Sequence, residues 1–296
     1  MKQEKIAHGI FLLCATLSIL AVASVTIYMI KSGAPAFLKI GVKEILFGTH
    51  WMPTAENPSY GIAFIILTSL VGTTAAIAIG VPIGLLTAIF LAEIAPKKFT
   101  TFIRPAVELL AGIPSVIYGM IGLMVLTPFM YKVELKLFSS TGEHQFTGGA
   151  NLLSAVIVLA IMILPTIVTM SETALRALPN RLREASLALG ASKLQTIFKV
   201  LLPAAKSGIV TAVVLGVGRA IGEAMAISLV AGSAVNLPLP FSSVRFLTTA
   251  IVSEMGYAEG MHREVLFSIG LVLFTFILGI NLILTLARRK GERHEG

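Results

Sequence analysis

Apolar residues run in long stretches along this chain, separated by short polar segments. Six stretches are each long enough to cross about 30 Å of hydrocarbon at about 1.5 Å per helical residue: Ile10 to Ile30, Ile62 to Leu91, Ala106 to Met130, Leu152 to Met170, Ile209 to Val230 and Val265 to Ala287. Backbone in hydrocarbon must satisfy its own hydrogen bonds, so stretches of this length predict helices. The expectation is an all-α membrane protein with six transmembrane helices. In the second stretch Gly72, Ala76, Gly80, Gly84 and Ala88 recur every fourth residue, which predicts a stripe of small side chains where another helix packs closely. Pro82 removes a backbone donor in the same stretch and predicts a kink.

Composition agrees with this pattern: 56% of the 296 residues are hydrophobic and 13% charged, outside the range of soluble domains. The first stretch follows Lys2 and Lys5, and Ala21-Val22-Ala23 resembles a signal-peptide cleavage site, but the apolar run continues past it. Cys14, the one cysteine, lies in this stretch and excludes an internal disulfide. The net charge of +8 points to topology once its distribution is read. With the N-terminus inside, 15 of the 23 Lys and Arg residues fall on the cytoplasmic side and 7 on the other, and Arg219 lies within a helix. The positive-inside rule then places both termini in the cytoplasm and makes membrane lipid, not nucleic acid, the partner of the basic residues.

The outer connections, Lys31 to Gly61, Tyr131 to Asn151 and Ala231 to Glu264, are rich in Gly, Pro, Ser and Thr and read as loops with short helical pieces. Around Gly33 to Phe47, apolar Phe37, Leu38, Val42, Ile45 and Leu46 mixed with Lys39 and Lys43 suggest a helix along the outer interface.

The longest basic connection, from Leu178 to Pro203, predicts two short helices meeting at Gly190. Ser192 and Gln195 have the spacing of a capping box, and Pro203 limits the second helix. Leu182, Ala185 and Leu189 form a narrow apolar face that must be buried against something. Either this loop rests on its own bundle or the lipid surface, or it docks a cytoplasmic partner. Glu184-Ala185-Ser186, Gly190 four residues on, and Ile197 through Leu202-Pro203 resemble the EAA loop of type I ABC-importer permeases, although that family commonly has alanine at the position of Ser186. The resemblance implies a type I ABC importer permease (MetI-like) fold. It also implies that Glu184, Ala185, Ser186, Gly190 and Pro203 belong to a coupling element seated in a groove of an ATPase subunit.

The fifth stretch carries two ionised residues at hydrocarbon depth, Arg219 and Glu223. A charge there costs about 2.5 to 3.5 kcal/mol on insertion scales and normally faces a partner or a watery path. Their four-residue spacing predicts a pair on one helix face beside the small residues Gly218, Gly222 and Ala226. Such a pair either neutralises itself to fix packing, or it offers an oxyanion the fork of Arg219, held by Glu223. Glu108, in the third stretch, is read as reaching the interface or pairing locally with Arg104.

Glu108-Leu-Leu-Ala-Gly112-Ile-Pro114-Ser115-Val-Ile-Tyr118-Gly119 and Gly218-Arg219-Ala-Ile-Gly222-Glu223-Ala-Met-Ala226, with Val230-Ala-Gly232, resemble the phosphate-specific ABC permeases of the PstC type. That resemblance implies a heterodimer with a PstA-type permease subunit, a PstB-type ATPase dimer and a PstS-type phosphate-binding protein, with Arg219 and Glu223 in the substrate pathway. It divides the chain into residues 1–61, an N-terminal helix with an outer interfacial segment, 62–288, the transmembrane core, and 289–296, a basic cytoplasmic tail. Other oxyanions (phosphonate, sulfate, molybdate) and a gradient-driven secondary transporter are the alternatives.

No Gly-Lys dipeptide and no Asp occur, so a P-loop is absent, and His8, His50, His144, His262 and His294 lack zinc-ligand spacing. The chain is therefore expected to be a transport subunit without an ATPase site, a bound cofactor or a metal, ATP and Mg being used by the partner ATPase.

Overall fold

The computed structural model describes residues 2–139 and 144–292 and, among these, the side chains of 7–139 and 144–282. Part of the connection read from Tyr131 to Asn151, and residues 293–296 of the expected basic tail, lie outside the described residues. The chain forms two compact units, residues 1–63 with 253–275, and residues 64–252 with 276–296.

In the first unit, α1 (Lys2–Ile40) runs unbroken through Pro35, so the segment expected as a separate interfacial helix from Gly33 is mostly a continuation of the first span. The break comes at Gly41, whose φ of 101° suits glycine, and α2 (Val42–Phe47) follows. Next comes a small antiparallel hairpin, β1 (Trp51–Met52) with β2 (Ser59–Tyr60). Trp51 Nε1 donates to the buried Glu254 carboxylate at 3.2 Å, and Glu254 is hydrogen-bonded to His262 at 2.6 Å. Ser268 Oγ donates to the Gly33 carbonyl at 2.7 Å and Lys39 pairs with Glu264 at 2.9 Å, which ties the end of α1 to the last helix.

The second unit opens with α3 (Ala63–Ile89), which ends in a widened π turn, Phe90–Ile94. The amphipathic α4 (Lys97–Gly112) and the span α5 (Ser115–Ile121), π turn Gly122–Leu126 and α6 (Thr127–Phe138) come next. This corrects the third expected span, which begins at Ser115 and not at Ala106. Pro114 disfavours helix at the preceding residue, and Ile113 is extended there at φ −68°, ψ 129°. The core helix is α7 (Leu152–Arg176), whose buried residues lie on every side. Asn151 caps it by accepting from the Ser154 N–H at 3.0 Å.

The small-residue stripe of α3 packs as its spacing predicts. A Cβ on Gly80 would come within 2.7 Å of Ile163, and one on Gly84 within 2.8 Å of Ile167, so two α7 isoleucines fill the gaps that glycine leaves. Helix geometry persists through Pro82. Downstream lie α8 (Asn180–Ala188), α9 (Lys193–Thr196), a π turn Ile197–Leu201, α10 (Leu202–Ala204), α11 (Lys206–Gly222), α12 (Met225–Val230), α13 (Leu247–Glu254) and α14 (Gly260–Glu292). Among the described residues, five helices are long and apolar enough to cross a membrane, and there are six if the helices on either side of Ala205, bent by 72°, count as one span. The fold is that of an all-α membrane protein.

Candidate functional site

The two helices of the long basic loop form where the sequence puts them. Gly190, at φ +83°, turns the chain between them, and Ser192 and Gln195 close a reciprocal capping box with bonds of 3.3 and 2.8 Å. Pro203 does not end the second helix. It sits in the first turn of α10, where a missing N–H is tolerated, and helix continues to Ala204 before the bend. The Leu202 N–H reaches back five residues to Ile197, widening the turn just before the proline.

The apolar face of α8 points outward: Leu182 is exposed, as are Glu184, Ala185 and Leu187, and Leu189 is 89% exposed. Among the α8 side chains, Arg183 and Ser186 turn inward. Ser186 is buried with its hydroxyl 2.9 Å from that of Thr196, so the departure from alanine at this position finds its own partner. Arg183 Nε lies 3.0 Å from a carboxylate oxygen of Glu93, in the π turn that ends α3. That hydrogen bond raises the guanidinium pKa above its ordinary value despite burial. Arg176 Nε pairs with the buried Glu172 at 2.7 Å, its Nη2 donates to the Leu91 carbonyl, and Arg104 stands 3.7 Å from Glu172. The contacts of Arg183 with Glu93, of Arg176 with Leu91 and of Arg104 with Glu172 do not announce themselves in the sequence, because they join positions about 70 to 90 residues apart.

Arg219 and Glu223, four residues apart in the chain, do not pair. Helix α11 stops at Gly222, and Glu223 is extended at φ −73°, ψ 131°, so the i,i+4 geometry that would join them is lost. The Glu223 carboxylate instead accepts from the Ala226 N–H at 2.8 Å, capping α12, while its carbonyl accepts from Thr248 Oγ1 at 2.6 Å. Arg219 Nη1 donates to the Thr166 hydroxyl at 3.2 Å, and among the described residues no acid lies within ion-pair distance of it. The expected face of Gly218, Gly222 and Ala226 also divides at the break. Gly218 and Gly222 are exposed, with open space where a Cβ would be, whereas Ala226 is buried against Gly119. Glu108 stands 3.6 Å from Arg104 on α4, a local pair as read from the sequence.

At the N-terminal end of α7, buried Glu134 accepts from the Thr147 N–H at 2.9 Å and bonds His144 at 2.8 Å. A cavity of about 320 Å3 there is lined by polar groups, including His144, Thr147, Asn236 and Ser243, together with apolar Phe146 and Phe241.

Known proteins resemble the chain over most of its length. It is 44% identical over 274 residues to the probable ABC transporter permease protein YqgH of Bacillus subtilis (strain 168), covering 90% of this chain and 85% of that one. It is 36% identical over 265 residues to the phosphate transport system permease protein PstC of Pasteurella multocida (strain Pm70), covering 84% and 82%. A bacterial alginate ABC transporter structure matches with a TM-score of 0.68 over 98% of this chain and 96% of that one, at 16% identity, and so shows the shared fold. Residues 80–290 match the family model described as binding-protein-dependent transport system inner membrane component. With that match running from Gly80 in the small-residue stripe through the basic loop and the broken fifth span, the chain belongs to the family of binding-protein-dependent transport system inner membrane components.

Proposed function

We propose that this chain is the PstC-type permease subunit of an ATP-driven importer of inorganic phosphate. The observation that carries the reading is the outward apolar face of α8, with Leu189 almost bare, on a chain that has no nucleotide-binding loop. Such a face fits the groove of a motor protein, and relatives named as phosphate transport permeases supply the cargo. The partners are a PstA-type permease, a PstB-type ATPase dimer that uses ATP and Mg, and a PstS-type binding protein. Both termini lie in the cytoplasm, the core is residues 62–288, and Glu184, Ala185, Ser186, Gly190 and Pro203 belong to the coupling loop.

In this reading Arg219 faces the path. Its guanidinium leans on a neutral hydroxyl and, among the described residues, on no carboxylate, so its charge is available to an oxyanion, and the bare glycines beside it leave room for approach. Glu223 holds the break that ends α11 just beyond Arg219. Closure of the ATPase dimer displaces α8, and the attached helices rock between inward-open and outward-open arrangements.

Uptake by the complete complex in vesicles tests the reading. Phosphate should outcompete sulfate, molybdate and phosphonate, and Arg219→Lys at normal assembly should lower phosphate uptake at least about tenfold, since lysine keeps the charge but loses the fork. Unchanged uptake in that variant removes Arg219 from the pathway. Better competition by another oxyanion reassigns the cargo.

A further inference from the structure

Arg183 and Ser186 are the two α8 side chains that turn back onto the chain, so a displacement applied to the exposed side of α8 has two routes into the bundle. Ser186 leads through Thr196 to the helices that continue into α11. Arg183 leads elsewhere. Its Nε donates to both Glu93 oxygens at 3.2 and 3.0 Å, its Nη2 to the Leu175 carbonyl at 3.0 Å, and its Nη1 to the Leu178 carbonyl at 3.1 Å. The planar fork thereby spans the end of α3, the last turns of α7 and α8 itself.

The receiving segment is unusual in the same way. Phe90–Ile94 is a π turn, closed by the Ala95 N–H bonding to the Phe90 carbonyl at 2.8 Å, and widened turns of this kind concentrate at functional sites. Arg176 takes its Leu91 carbonyl at 2.9 Å while Arg183 takes its Glu93 side chain, so two arginines grip one turn. Both members of the ion pair are largely buried, at 21% and 8% side-chain exposure, which shields the pair from the screening that weakens surface pairs.

We propose that Arg183 and Glu93 are positioning residues that make α8 and the terminal turn of α3 one mechanical unit, so that displacement of α8 enters the membrane through α3 as well as through α11. This rests on the reading of the chain as an ATP-coupled permease. Beyond the joint, α3 packs its glycines closely against Ile163 and Ile167 of α7, with no room for a Cβ between them, which carries the push on into the core helix. A lysine at 183 keeps the charge toward Glu93 but cannot serve the carbonyls of Leu175 and Leu178 together with it.

The test uses the complete four-component complex, with Cys14→Ser in this chain so that introduced cysteines here are unique. Glu93→Gln and Arg183→Lys should assemble normally and retain ATP hydrolysis, while phosphate carried per ATP falls by at least about fivefold. Unchanged transport per ATP in Glu93→Gln overturns the proposal. So does a proportional fall of assembly, hydrolysis and uptake, which marks a pair that merely holds the fold.

A second readout is independent of the cargo. Spin labels at Ile94→Cys and Arg181→Cys should keep their separation within about 2 Å between nucleotide-free and ATP-trapped states, and lose that constancy when Glu93→Gln is added. A larger change in the unbroken pair also overturns the joint. If the parent complex hydrolyses ATP but carries no phosphate, the functional reading fails and the label distances still decide this one.

Discussion

At Glu223 the carboxylate acts through a local hydrogen bond, and a side chain that looks like half of an ion pair turns out to be a cap. Its acceptor role toward the Ala226 N–H sets the expectation for substitution. Glu223→Ala should cost about 1 kcal/mol, seen as a lower midpoint of thermal unfolding in detergent, while Glu223→Gln keeps an acceptor oxygen and holds the midpoint. An equal fall in both variants would show that charge, and not the cap, maintains the break. The sequence singles out Arg219 and Glu223 because ionised groups at depth are costly. Their separation is hidden, because apolar character continues through Val230 and carries no mark of where helix geometry stops. The same limit applies to Arg183 and Glu93, which spacing alone cannot bring together across 90 residues.

For the elements, close approach between α5 and α12 makes a sharp prediction. A Cβ on Gly119 would sit 2.7 Å from the Ala226 Cα, and backbone there cannot swing aside as a side chain would. Gly119→Ala should therefore destabilise by roughly 1 to 3 kcal/mol in the same unfolding assay. Gly218→Ala is the contrast, since its new methyl meets nothing within 4 Å and helix propensity favours alanine. Equal midpoints for the two would mean that α12 shifts freely. The four-residue stripe of α3 and the capping box at Ser192 were legible, because each is a local periodicity or spacing. The start of the third span was not. Leu109, Leu110, Ala111 and Gly112 are apolar enough to pass for membrane, and only Pro114 hints that α4 ends before the span begins.

On the scale of the whole chain, the charge asymmetry of 15 basic residues against 7 predicts that both termini are cytoplasmic. A fluorescent reporter fused after residue 296 should light up in the cytoplasm and an alkaline phosphatase fused there should stay inactive; the opposite pair of signals would invert the topology. The count is possible from sequence because it needs only the order of spans, and a shifted third span or a bent fifth leaves that order unchanged. Mechanical connections are different, since they depend on which loop folds back onto which helix end.

The exposed leucines of α8 carry one more consequence, for supply. On the proposed reading, a copy made without its ATPase shows Leu182, Leu187 and Leu189 to water, an exposed apolar surface of the kind that quality control acts on. If α8 docks an ATPase as proposed, the same helix also reports assembly: until it is covered, the subunit is marked as surplus.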